Sequence, residues 1–127
     1  MKPVQKIAWL DDVAVKDFDA ALAYLSLRFD EDRAGQLVDA LKAAPVTTRR
    51  VNDILRACRH DPLPLSDPGV RREKGKKRLS PVLVISFEYG GDIADGYHRL
   101  SYAYHVSPYQ DVPLRIASAR LPGLPGQ

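Results

Sequence analysis

Two neighbouring stretches decide the fold: Ser80-Pro81-Val82-Leu83-Val84-Ile85-Ser86-Phe87, and Gly90-Gly91-Asp92-Ile93-Ala94-Asp95-Gly96-Tyr97-His98-Arg99. Val82–Phe87 is a run of β-branched and aromatic residues, of a length suited to a central strand buried on both faces. Gly90-Gly91 reads as the turn and Asp92–Asp95 as a short return strand. Gly96 then opens a helix from Tyr97 to about Val106, and Pro108 and Asp111 mark its exit. Val112–Ala117 reads as the last strand. Hairpin, helix and strand in that order predict the α+β class, with a small mixed sheet.

Working outward, the N-terminal half is more helical. Phe18, Ala21, Leu22, Leu25 and Phe29 recur at i, i+3, i+4 spacing, which predicts an amphipathic helix with Asp17 or Asp19 as its cap. Asp30-Glu31-Asp32 places acids where a second helix starts, with Ala34, Leu37, Val38 and Leu41 as its buried stripe and Pro45 as its stop. Thr47-Thr48 offers caps for a third helix carrying Val51, Ile54, Leu55 and Cys58 on one face. Val4–Trp9 reads as a first strand. Asp61–Gly69 holds three prolines and reads as irregular, with Asp67-Pro68 starting a short helical turn.

The 127 residues are 45% hydrophobic and 28% charged, close to the average for globular domains, which excludes a collagen-like or low-complexity chain. They predict one domain over 1–120, with its motif core at 79–117 and a flexible Pro/Gly tail at 121–127. A single cysteine, Cys58, excludes an internal disulfide framework and a multi-cysteine zinc site. The first apolar run stops at Leu10, before Asp11-Asp12, so no signal peptide or membrane span is legible. These features predict a cytoplasmic protein with no membrane partner.

The formal net charge of +3 hides an uneven distribution. Residues 1–45 sum to −2, residues 46–80 to +6 and residues 81–127 to −1. The densest basic run is Arg71-Arg72-Glu73-Lys74-Gly75-Lys76-Lys77-Arg78. Such a run is either a solvated helix end or a landing site for phosphates.

A strand that ends in Asp95-Gly96 and passes at once into a helix leaves that helix's first backbone N–H groups without intrahelical partners. Those donors and the helix dipole attract an anion, and glycine lets a phosphate approach the backbone. Arg99 can add a charge-assisted fork. Asp95 and His98 are the candidate acid/base or metal-contacting groups. His98 and His105 lie two turns apart, roughly 10 Å along a helix, too far to share one metal ion. If the hairpin pairs as read, Lys76, Lys77 and Arg78 fall near the Gly96 turn and complete a phosphate site. His60 reads as a structural histidine at a helix end.

Ser80-Pro81-Val82-Leu83-Val84-Ile85, Ile93 to Leu100 and Val112-Pro113-Leu114-Arg115-Ile116 resemble, in order and spacing, the core of the ParB/sulfiredoxin superfamily. Tyr24-Leu25-Ser26-Leu27 and Asp53-Ile54-Leu55-Arg56-Ala57 extend the likeness to a group of small bacterial proteins with this core. The resemblance implies a phosphate on the motif turn, with Gly96, Tyr97, His98 and Arg99 lining it, as part of a nucleotide such as ATP or CTP accompanied by Mg²⁺. It leaves open hydrolysis or phosphotransfer. Two departures bear on activity. Sulfiredoxins carry a catalytic cysteine just after the motif glycine, where this chain has Tyr97. Partition-type ParB proteins have an arginine-rich motif and a helix-turn-helix domain that are not legible here. The alternative is a non-catalytic nucleic-acid- or protein-binding module using the basic 46–80 segment.

Overall fold

The computed structural model describes residues 6–120, which form five helices and four strands. In chain order they are α1 (Val15–Arg28), α2 (Glu31–Ala43), β1 (Thr47–Arg50), α3 (Val51–Ala57), α4 (Pro68–Lys74), β2 (Val82–Phe87), β3 (Gly90–Asp95), α5 (Tyr97–Val106) and β4 (Asp111–Ser118). The fold class is α+β. The strands make one mixed sheet in the order β1-β4-β2-β3, in which β2 and β4 run parallel and the other two pairings are antiparallel.

The unbroken apolar run of β2 is explained by what covers it. Leu83 and Ile85 face α1 and α2, where Ala21, Leu25, Ala34, Leu37, Val38 and Leu41 are buried with them. Val82 and Val84 face the other way, into a cluster with Val51, Ile54 and Leu55 of α3 and Leu100 and Ala103 of α5. Strand alternation therefore feeds two cores, and each fully buried leucine contributes about 1.5–3 kcal/mol of transfer free energy. Beyond α5, Val70 of α4 packs with Leu79 and Tyr102.

This layering also sorts charge. Helices α1 and α2, whose charges nearly balance, cover one face, while the strongly basic segment 46–80 supplies α3 and α4 on the other. All ten of its lysines and arginines are exposed.

Several local expectations are corrected. Among the described residues 6–10 there is no strand, only an isolated bridge in which Leu79 N donates to Ala8 O and Leu10 N to Leu79 O; Val4 and Gln5 lie outside the described residues, as does the 121–127 tail. Thr47-Thr48 is not a cap but the start of an edge strand, β1, paired with β4, and α3 begins only after Arg50. The N-cap of α1 is Ala14, with no side-chain bond, and Asp17 is buried in its first turn instead. The hairpin turns at Glu88-Tyr89, so Gly90 and Gly91 lie in β3. They are needed there because the end of α3 lies against the strand: a Cβ on Gly90 would come 2.7 Å from the Ala57 carbonyl, and one on Gly91 3.1 Å from Cys58 Sγ. Asp30 does cap α2, accepting from Arg33 N at 2.8 Å, and Asp67 caps α4.

Candidate functional site at the start of helix α5

The site grows out of one backbone conformation. Gly96 has φ +113°, a region that L side chains rarely adopt, and this turns the end of β3 directly into α5. The turn is also tight. A Cβ on Gly96 would lie 3.0 Å from Val82 and 2.9 Å from Arg99 Nη2. Gly96 offers no side-chain cap, and its carbonyl accepts from Leu100 N, so the N–H groups of Tyr97, His98 and Arg99 have no intrahelical partner.

A cavity of about 310 Å³ opens at this point, with Tyr24, His60, Asp95, Gly96, Tyr97 and His98 in its lining. The His60 and Tyr97 rings lie 4.7 Å apart. Tyr97 OH donates to the Asp61 carbonyl, and burial pushes its phenol above the ordinary range, with Asp61 and Asp67 adding to the shift. His98 Nε2 lies 3.7 Å from Asp67 Oδ1, and its ring rests on Gly69 so closely that a Cβ there would be 2.2 Å away. Leu63 N donates to Ser101 Oγ at 3.0 Å, and His105 Nε2 is 2.7 Å from the Leu63 carbonyl. The proline-rich segment 61–69 is thus strapped along α5, behind the Tyr97 and His98 side chains that line the cavity.

Arg99 is turned inward. Its side chain is 8% exposed; Nη1 lies 3.2 Å from Asp17 Oδ2 and Nη2 2.8 Å from Asp95 Oδ2. The guanidinium therefore bridges α1 to the end of β3 rather than presenting a fork to the cavity. Burial pushes the Asp95 carboxyl above the usual carboxylate range, against the pull of Arg99 and with the help of Asp17 and Glu73. Glu73 is itself buried, and Lys76 Nζ meets it at 3.0 Å. Lys77 and Arg78 are exposed, and none of the three basic residues lines the cavity. The basic run does reach this end of the sheet, but through Glu73, not through its cations.

No family model, curated protein or solved structure matches this chain. The site is therefore read from its own chemistry. Three N–H groups and two imidazoles favour an anion, two tyrosines offer flat faces, and Asp95, paired to Arg99 from behind, is the one carboxyl among the described lining residues. No group of three or more metal-ligating side chains occurs among the described residues.

Of the expected site residues, Gly96, Tyr97, His98 and Asp95 come together in the cavity. Sequence reading missed Asp17, Tyr24 and His60. Asp17 had a signal: it falls in step with Ala21 and Leu25 on the buried stripe of α1, where a carboxylate requires a partner. Tyr24 is tied to the buried Asp92, donating to Oδ1 at 2.7 Å, while Arg28 Nε holds Oδ2 at 3.0 Å. His60 had no signal, because only the fold of the 61–69 segment brings it to Tyr97.

Proposed function

We propose that this chain binds a phosphate-bearing small molecule, a nucleotide or a simpler phosphate ester, at the Gly96–Arg99 turn. The observation that carries the reading is the cavity at the start of α5, where backbone N–H groups without intrahelical partners meet His60 and His98. A helix N-terminus carries a partial positive charge, and imidazoles add donors to a phosphate oxygen. Tyr97 and Tyr24 offer surfaces on which a base can stack. Arg99 acts from behind, by compensating Asp17 and Asp95, whose charges oppose an anion. Among the described lining residues Asp95 is the only carboxylate, so Mg²⁺ arriving with ATP or CTP would be held mainly by phosphate and water. Asp95 and His98 are the groups through which hydrolysis or phosphotransfer would move a proton.

Calorimetric titration of the chain with inorganic phosphate, ATP and CTP, each with and without Mg²⁺, tests the reading. Saturable binding that falls about ten-fold in His98→Ala, with an unchanged circular dichroism spectrum, is the expected result. Absence of binding by all three ligands overturns it.

A second reading rests on the exposure of all ten basic side chains of 46–80, of which Lys76 alone is ion-paired among the described residues. A nucleic acid bound there should lose affinity steeply with salt. Binding that ignores salt between 50 and about 200 mM would exclude it. No described helix is long and apolar enough to cross a membrane; the cytoplasmic setting belongs to the proposal and rests on the single cysteine, which has no partner for an internal disulfide.

A further inference from the structure

A second cavity lies at the opposite end of the same strands. β2 starts at Val82, beside Gly96, and ends at Phe87, about 17 Å away along a strand. The parallel strands β2 and β4 both run out at this cavity, which takes in Ser86 to Tyr89 from one and Ser118 to Arg120 from the other. Its volume is about 490 Å³, within the roughly 300–1,000 Å³ of small-molecule sites. The carboxyl ends of parallel strands are also where open sheets with helices on both faces commonly take ligands.

Its lining combines flat rings with cations. Phe29, from the α1–α2 junction, and Phe87 are half-buried, with centroids 6.2 Å apart and planes only 12° apart. Tyr89, at the hairpin tip, is 83% exposed, so the faces of its ring are open to a ligand. The Arg33 guanidinium sits 5.7 Å from the Phe29 centroid and donates to the Ala119 carbonyl. Arg120 meets Glu88 at 3.2 Å, but the side chains are 71% and 59% exposed, so this pair contributes little and exchanges readily. Among the described lining residues, two arginines face one carboxylate.

We propose that this cavity is a second ligand site, which takes a planar aromatic anion. The ring stacks against Phe29, Phe87 and Tyr89, and the negative group displaces Glu88 from Arg120. An aryl carboxylate and a purine nucleotide share this chemistry, so both serve as probes. The site draws on no residue of the Gly96 cavity and stands whether or not phosphate binds there.

The test is a titration of the full chain with indole-3-acetate, AMP and neutral indole, followed by ¹H–¹⁵N shift mapping. Saturable shifts at Phe87, Tyr89, Ala119 and Arg120 with one of the anions are expected, and the tighter anion identifies the ligand class. Tyr89→Ala should weaken that binding at least about five-fold through lost stacking, and Arg120→Ala by about as much. Glu88→Gln should tighten it about two-fold by freeing Arg120. The three substituted side chains are exposed, so the fold is retained. The proposal fails if neither anion gives saturable shifts or if the shifts fall only around Gly96. It fails equally if neutral indole binds as tightly as indole-3-acetate.

Discussion

Replacing Arg99 with methionine keeps the bulk of the side chain and removes its charge. In the folded protein that charge stands between Asp17, 7% exposed, and Asp95, and both carboxylates lie within 3.2 Å of it. Removing one member of a buried ion group leaves charge uncompensated, at a cost of about 3–5 kcal/mol. Against a total stability of about 5–15 kcal/mol, that is a large fraction. For a chain of this length it corresponds to a fall of about 10–20 °C in Tm. The pH dependence follows from Asp95. Burial already raises its carboxyl, and Arg99 is the main opposing influence, so the variant raises it further. An acid whose folded-state pKa exceeds the unfolded one stabilises the fold when protonated, and that contribution is lost as pH climbs through the folded-state value. The deficit should therefore be largest at pH 7 and shrink as pH falls towards about 4. Urea titrations of parent and variant at pH 7, 5.5 and 4 measure this. A second substitution, Asp17→Asn, on the Arg99→Met background should restore part of the loss, with a coupling of about 0.5–3 kcal/mol. A loss under about 1 kcal/mol at pH 7, or one that grows on acidification, would refute the inward-facing role of Arg99.

Three further outcomes follow from local geometry. Gly96→Ala should cost about 1–3 kcal/mol from its φ of +113° and its contact with Val82, whereas Gly35→Ala, with nothing within 4 Å, should gain about 0.5–1 kcal/mol in α2; paired thermal melts would show the opposite signs. Tyr24→Phe removes the donor to the buried Asp92 and should cost about 1–3 kcal/mol by urea denaturation; a neutral result would mean that Arg28 alone satisfies that carboxylate. The Cys58 thiol is buried and pushed up to about 11, so alkylation at pH 8 should proceed only as fast as the chain opens; rapid reaction of the native protein would contradict its burial against Gly91.

Thr47-Thr48-Arg49-Arg50 has the composition of a helix entry, and it became β1 because β4 offered an unpaired edge. Gly90-Gly91 looks like a turn, yet the pair is spent on letting α3 approach β3. Arg99 looks like a phosphate ligand, yet Asp17, some eighty positions earlier in the chain, claims it. In each case a partner distant in sequence overrode a sound local signal.

The pattern of apolar residues alone was enough to establish the hairpin–helix–strand core, the two amphipathic helices before it and the glycine that launches α5. Those features depend on periodicity and on backbone freedom, which are properties of neighbouring residues. Tertiary structure decided which side chains face the Gly96 cavity, which charges are compensated, and that the basic segment covers the face opposite α1 and α2. These depend on the pairing of buried charges and on close approach between distant segments, and a buried carboxylate takes whichever cation the fold brings to it.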